Sequence, residues 1–155
     1  MDSTEFILKD IKEYLVFICD VKNLSKNTTS SYQRDLNKLY LFLKDLDISS
    51  YSEINNGVCS AWIGALYAQN NNPRSIQRHL SSAKGFFRFL KKNNFIDASP
   101  FELVTSPKTP SNLPEVLSPE DVEQLLNFKP TNLIETRDLA IIELMYSSGL
   151  RVSET

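Results

Sequence analysis

Arg151 has the setting of an arginine built to hold phosphate. Leu139, Ile142, Met145 and Tyr146 recur at helical spacing and run into Ser147-Ser148-Gly149, a C-terminal stop whose glycine supplies a left-handed turn. Arg151-Val-Ser-Glu154 then reads as the first turn of another helix, so the chain is expected to break off inside a domain. A planar guanidinium can give two hydrogen bonds to the non-bridging oxygens of a phosphate, where charge concentrates during phosphoryl transfer. The plain alternative is a C-cap arginine serving the helix dipole.

A second set of cations lies in the middle of the chain. From Asn71 to Ile96 there are six basic residues, Arg74, Arg78, Lys84, Arg88, Lys91 and Lys92, and no acid, whereas Ala98 to Thr155 holds nine acids against four bases. The net charge of −2 conceals this asymmetry. At about 100° per residue Arg74, Arg78, Ser81, Gly85, Arg88 and Lys92 fall on one stripe, with Gln77 and Lys84 beside it and Ile76, Leu80, Ala83, Phe87 and Leu90 opposite. Such a face suits a DNA groove: arginines take phosphates or guanine edges, and small residues allow close approach. A solvated bundle helix would carry the same pattern.

A third set, Leu24-Ser-Lys-Asn-Thr-Thr-Ser-Ser31, crowds Ser25, Lys26, Thr28, Ser30 and Ser31 at a helix N-terminus, where free amides and the dipole favour an anion; Arg34 and Lys38 continue the polar side. An ordinary N-cap with spare hydroxyls is the bland reading. Two helices with one possible ligand support each other.

The elements that must position these groups are helices. Phe6, Ile7, Ile11, Tyr14, Leu15 and Ile18 mark a first helix over about 4–22, capped by Ser3 or Thr4. A second starts at Ser25 or Asn27 and runs to about Leu46, with Tyr32, Leu36, Leu39, Leu43 and Leu46 on one stripe. A third carries Val58, Trp62, Ile63 and Leu66, and a fourth follows Pro73 to about Lys92. Four helices on short loops make one bundle. Pro100, Pro107, Pro110, Pro114 and Pro119 then indicate an extended linker, after which Ser118-Pro-Glu-Asp121 opens a further helix carrying Val122, Leu125 and Leu126. The expected organisation is a helical DNA-binding domain over 1–98, a linker over 99–114 and the start of a second domain over 115–155.

At 155 residues and 41% hydrophobic, the chain can bury one full core and part of another. No apolar run approaches the roughly 20 residues that span a bilayer, and the acidic Met1-Asp-Ser-Thr-Glu5 is no signal peptide, so a cytoplasmic protein without a membrane partner is expected. Cys19 and Cys59 lack CxxC spacing and read as reduced core thiols; His79 reads as a core-edge histidine. No metal set is evident.

The residues match a known pattern in order along nearly the whole chain. Ser25-x-x-Thr28-x-x-x-Tyr32-x-x-Asp35-Leu36, Ser75-x-x-Arg78-x-Leu80-Ser81 with Phe86-Phe87-x-Phe89-Leu90, Leu113-Pro114-x-x-Leu117-Ser118, and Arg137-Asp138-x-Ala140-Ile141 leading to Gly149-Leu-Arg-Val-Ser-Glu154 resemble the tyrosine recombinases of the phage integrase family, Xer type. The last motif is the specific one. The resemblance implies an all-α, four-helix SAM-like core-binding bundle, a proline-rich linker, and the first helices of a truncated α/β catalytic domain. It implies a site-specific recombinase that clamps double-stranded DNA and cuts it through a 3′-phosphotyrosyl intermediate without metal or other cofactor. Arg151 would be the first catalytic arginine and Glu154 the acidic residue that keeps the site in order. Ser25, Lys26, Thr28, Ser31, Arg34, Arg74, Arg78, Ser81, Lys84, Arg88 and Lys92 would face DNA. Further implied partners are sister recombinase subunits in a tetramer on paired sites and a septal DNA translocase, in chromosome dimer resolution.

The family's catalytic lysine, its His-x-x-Arg pair, the following histidine or tryptophan, and the tyrosine nucleophile have no counterpart among these residues, so the 155-residue chain by itself is expected to be inactive. Two other classes fit the bundle alone: a non-catalytic helical DNA-binding module, and a helical protein-interaction module using its basic face for an acidic partner.

Overall fold

The computed structural model describes residues 4–107 and 116–154, so the Ser3 cap, the second part of the expected linker (108–114) and with it the Leu113-Pro114 part of the motif lie outside the described residues. The described elements are helical: α1 (Glu5–Val16), a π-turn (Phe17–Val21), α2 (Lys26–Asp45), a 3₁₀ turn (Tyr51–Glu53), α3 (Asn56–Ala68), α4 (Pro73–Lys92), α5 (Pro119–Leu126), α6 (Leu133–Ser148) and a final 3₁₀ turn (Val152–Glu154). No strand occurs among the described residues. The chain divides into two compact units, Met1–Pro110 and Ser111–Thr155.

Local chemistry sets the helix ends. The Oγ of Ser25 accepts from the Thr28 N–H at 3.2 Å, Asn55 Oδ1 from Gly57 and Val58, and Asn72 Oδ1 from Arg74 at 2.9 Å with Pro73 next in the chain, each satisfying amides that the helix itself leaves unbonded. The exits are equally local. Asn23, Asp47, Asn70 and Asn94 take positive φ of 48°, 52°, 55° and 59°, the left-handed conformation that short polar side chains tolerate best after glycine.

In the first unit α2 packs against α1 and α4, and α3 packs on α4. Ile7, Ile11, Tyr14 and Ile18 meet Leu36, Leu39 and Leu43 and the α4 face of Ile76, Leu80, Ala83, Phe86, Phe87 and Leu90, all buried. Leu46 lies at the C-cap of α2 and is half exposed, because the helix stops before its turn reaches the core. Phe101 is fully buried, its ring 5.7 Å from Trp62 and 5.0 Å from Phe87, so the packed core takes in residues beyond position 98. Cys59 is a buried thiol, its pKa pushed up to about 12 by burial; Cys19, expected in the core, lies in the π-turn and is exposed.

In the second unit Ser118 and Asp121 form a capping box at the start of α5. Asn132 caps α6, and the Glu135 carboxylate accepts from the Thr131 N–H at 2.6 Å and the Thr131 hydroxyl at 2.8 Å. Gly149, at φ 64°, ends α6 in the left-handed turn its sequence called for. Neither helix holds a buried residue; Leu125, Leu144 and Tyr146 are exposed and Leu133 is 88% so.

Candidate nucleic-acid interface

Two helices carry the expected cations, and a buried carboxylate joins them. Asp35 on α2 is completely buried and accepts both Nε and Nη2 of Arg78 on α4, each at 2.9 Å. The paired geometry is the one a guanidinium and a carboxylate prefer, and its hydrogen bonds hold Arg78 firmly in the charged form. Farther along, Lys38 of α2 reaches Asn71 at the start of α4, while Tyr32 of α2 shares a cleft with Ser81, Lys84 and Arg88. The two helices therefore run antiparallel, and the N-terminus of α2 lies toward the C-terminal half of α4. Their outward flank carries no exposed acid on α4.

On that flank the expected residues divide by how free they are. Arg74 and Arg88 are exposed, as is Lys26. Lys92 is exposed with its ammonium 6.0 Å from the centre of the Phe17 ring. Arg34 donates to Ser31 at 3.2 Å and remains exposed. Lys84 donates to the Val104 carbonyl at 2.7 Å, tying α4 to the segment after it. The hydroxyl of Ser81 donates to Gln77 of its own helix, and Gln77 donates to the Pro107 carbonyl at 2.9 Å. Ser25 and Thr28 spend hydroxyl contacts on each other, at 2.9 Å, as well as on the cap.

Gly85 has a different reason from the one its small size suggested. A β-carbon there would collide with the Tyr14 hydroxyl, so the glycine makes room for that side chain of α1. His79 sits deeper than a core-edge residue, with its Nδ1 3.1 Å from Asp35 and its ring edge-on to Trp62. Burial holds its pKa below the usual histidine value; the nearby Asp35 carboxylate opposes that shift and Lys38 and Arg78 reinforce it.

Sequence reasoning passed over Asp35 as a polar anchor and Tyr14, Lys22 and Tyr32 as lining. The signal for Asp35 was present: an acid four residues before Leu39 in an apolar stripe must find a cation when buried.

In the second unit Arg151 extends into solvent, its side chain 84% exposed. The Glu154 carboxylate accepts from the Arg151 N–H at 2.8 Å and faces its Nη1 at 3.4 Å. One acid therefore fixes the backbone of the arginine and leans on its head group, while Gly149 sets the direction in which the segment leaves α6.

Comparisons with known proteins agree on one relationship. The family model described as phage integrase, N-terminal SAM-like domain, matches residues 11–94. The chain is 35% identical over 152 residues to a tyrosine recombinase XerC of Syntrophus aciditrophicus, 33% over 145 to a XerD of Oceanobacillus iheyensis and 36% over 145 to a XerD of Staphylococcus haemolyticus. Each alignment takes in 93% of this chain and 49% of the relative, so the chain spans about half the length of the curated relatives it matches. No solved structure matches it. Among the described residues no helix is long and apolar enough to cross a membrane.

Proposed function

We propose, from the premise that the chain belongs to the phage integrase family among the Xer-like tyrosine recombinases, that it supplies the DNA-grasping part of a site-specific recombinase and the first arginine of its catalytic site. The observation that carries the reading is the α2–α4 flank: two helices locked in register by Asp35 and Arg78, with Lys26, Arg34, Arg74, Arg88 and Lys92 exposed along it. A rigid pair of helices presents its cations at a fixed spacing, which suits a phosphate backbone. Ser25, Thr28, Ser31, Ser81, Lys84 and Arg78 are in this reading the supporting contacts, the hydroxyls tied within their own helices, Lys84 to the Val104 carbonyl and Arg78 to Asp35.

Arg151 is assigned to the scissile phosphate. When a tyrosine oxygen attacks phosphorus, its bond to phosphorus forms as the bond to the 5′ oxygen breaks, and that oxygen leaves as a hydroxyl once protonated. The 3′-phosphotyrosyl link conserves the energy of the phosphodiester for rejoining by a partner strand's 5′-hydroxyl. Throughout, negative charge rises on the non-bridging oxygens, and a guanidinium aimed there stabilises the transition state more than the ground state. Glu154 keeps the arginine's segment in place. In this reading none of the chain's six tyrosines is the nucleophile, and the chain alone is expected to bind without cutting. The wider setting we propose is the one the family resemblance implies: a cytoplasmic tetramer of sister recombinases on paired sites, working with a septal translocase to resolve chromosome dimers.

Duplex binding tests the reading. Affinity is expected to be weak and to fall linearly with salt on a log–log scale, since phosphate contacts release counterions. Arg88→Ala should flatten that slope by about one contact. Binding with an unchanged slope would make α4 a solvated face.

A further inference from the structure

Beside the exposed cations lies a cleft of about 370 Å³ between the π-turn, the start of α2 and the second half of α4. Its walls include Tyr14, Tyr32, Lys22, Lys84, Gly85 and Arg88, and no carboxylate is among them. Tyr14 is 3% exposed, with its ring tilted against Phe86 and Phe89 at 5.7 and 5.5 Å. Among the described residues its hydroxyl has no hydrogen-bond partner in the protein, although it lies against Gly85 at the cleft wall. The π-turn places Ile18 and Lys22 on the cleft, and such insertions are common at functional sites.

The Tyr14–Gly85 pair is hard to explain by packing. Gly85 lies inside a 20-residue helix with no left-handed backbone to require it, and glycine there costs about 1 kcal/mol relative to alanine. Phenylalanine at 14 with alanine at 85 would fit the same space, for the Tyr14 Cζ lies 3.4 Å from where the new β-carbon would be. Instead the fold keeps a hydroxyl that opens onto the cleft and a helix-weakening glycine to admit it. A polar tip kept at that cost and aimed into a cationic cleft points to a ligand. Burial pushes Tyr14 up to about 12, with Tyr32 adding to the rise and Arg88 opposing it, so the phenol stays protonated and is a donor at neutral pH. A neutral donor ringed by cations fits an anion with acceptor oxygens.

We propose that this cleft seats one backbone phosphate of the bound duplex, with the Tyr14 and Tyr32 hydroxyls donating to its non-bridging oxygens and Lys22, Lys84 and Arg88 balancing its charge. The assignment rests on the DNA-binding reading above and adds Tyr14, Tyr32 and Lys22 to its contacts. It makes the cleft a fixed point of register: one phosphate enters, and the exposed cations engage its neighbours.

The test is a coupling measurement on the 155-residue chain. Duplexes in which single phosphates are replaced by neutral methylphosphonates are titrated with the wild-type chain, Tyr14→Phe and Lys22→Ala. Tyr14→Phe is expected to weaken binding to the unmodified duplex on the order of tenfold, as for a lost hydrogen bond to a charged group. It should leave the salt slope alone, whereas Lys22→Ala should lower the slope by about one. At one phosphate position the methylphosphonate should erase both effects, the signature of a shared contact. If the wild-type chain binds but neither substitution weakens it, or no position erases the effects, the cleft is not a phosphate seat and the DNA-binding reading stands without it. If the wild-type chain shows no salt-dependent affinity, the DNA-binding reading fails and takes the seat with it.

Discussion

At the scale of single residues, the same side-chain type does opposite jobs on one helix. Arg78 and Arg88 both lie on the cationic stripe of α4 and both are exposed, yet Arg78 is bound to a buried carboxylate and Arg88 is not. Removing Arg78, whose own side chain is 44% exposed, leaves the buried Asp35 carboxyl with only His79 beside it, and a buried acceptor stripped of its partner costs about 1–3 kcal/mol. Arg78→Ala should therefore lower the unfolding free energy measured in urea by that much, Asp35→Asn on top of it should recover part of the loss, and Arg88→Ala should change stability by less than about 0.5 kcal/mol. His79 adds a pH signature. Its pKa is depressed in the folded protein, so the unfolded chain takes up a proton first; stability should be full above the ordinary histidine value and fall as pH drops from about 6.5 toward the lower folded pKa. Arg151 is different again, since nothing in its own unit needs its head group. Grafted in front of the catalytic half of a Xer relative, the chain with Arg151→Ala should bind DNA as before and lose strand cleavage by on the order of a hundredfold. Arg151→Lys should do little better, because an ammonium lacks the planar two-point contact. A gel-shift paired with a suicide substrate reads both; a variant that binds poorly but cleaves normally when bound would make Arg151 a docking residue.

At the scale of elements, the packing of α1 on α4 passes through one glycine. Gly85→Ala should destabilise the first unit by about 1–3 kcal/mol despite alanine's better helix propensity, because the new methyl meets the Tyr14 hydroxyl. In the Tyr14→Phe background the same change should be neutral or stabilising, a sign reversal that thermal unfolding would detect. An equal loss in both backgrounds would mean that the clash is not with the hydroxyl. The helices and most of their caps were legible in the sequence because the signals are local: a 3.6-residue apolar period, Ser25 and Ser118 as N-caps, Pro73 at a helix start, Gly149 at a stop. What was not legible depends on partners distant in sequence. Nothing near Lys84 says that its ammonium will be drawn to Val104, and nothing near Phe101 says that a ring among prolines will close over Trp62. The stripe of cations was visible, but which of them are free to meet a ligand is decided by tertiary pairing. The π-turn escaped notice because an added residue leaves the apolar period of the first helix nearly intact through Ile18.

At the scale of the whole molecule, the two units differ in what holds them. The first has a continuous core of aliphatic and aromatic side chains, whereas α5 and α6 are held by caps and by contacts with each other. A chain of this kind should engage DNA chiefly through its first unit, and through one face of it. The direct measurement is residue-resolved: amide chemical shifts of the labelled chain followed while a duplex is added at low salt. The expected result is a connected footprint, with Ser25 to Arg34 at the start of α2 responding together with Arg74, Ser81, Arg88 and Lys92 on α4, and with the exposed side of α3 silent. Shifts centred on α3 or scattered without regard to the α2–α4 flank would contradict the assignment of that flank to DNA.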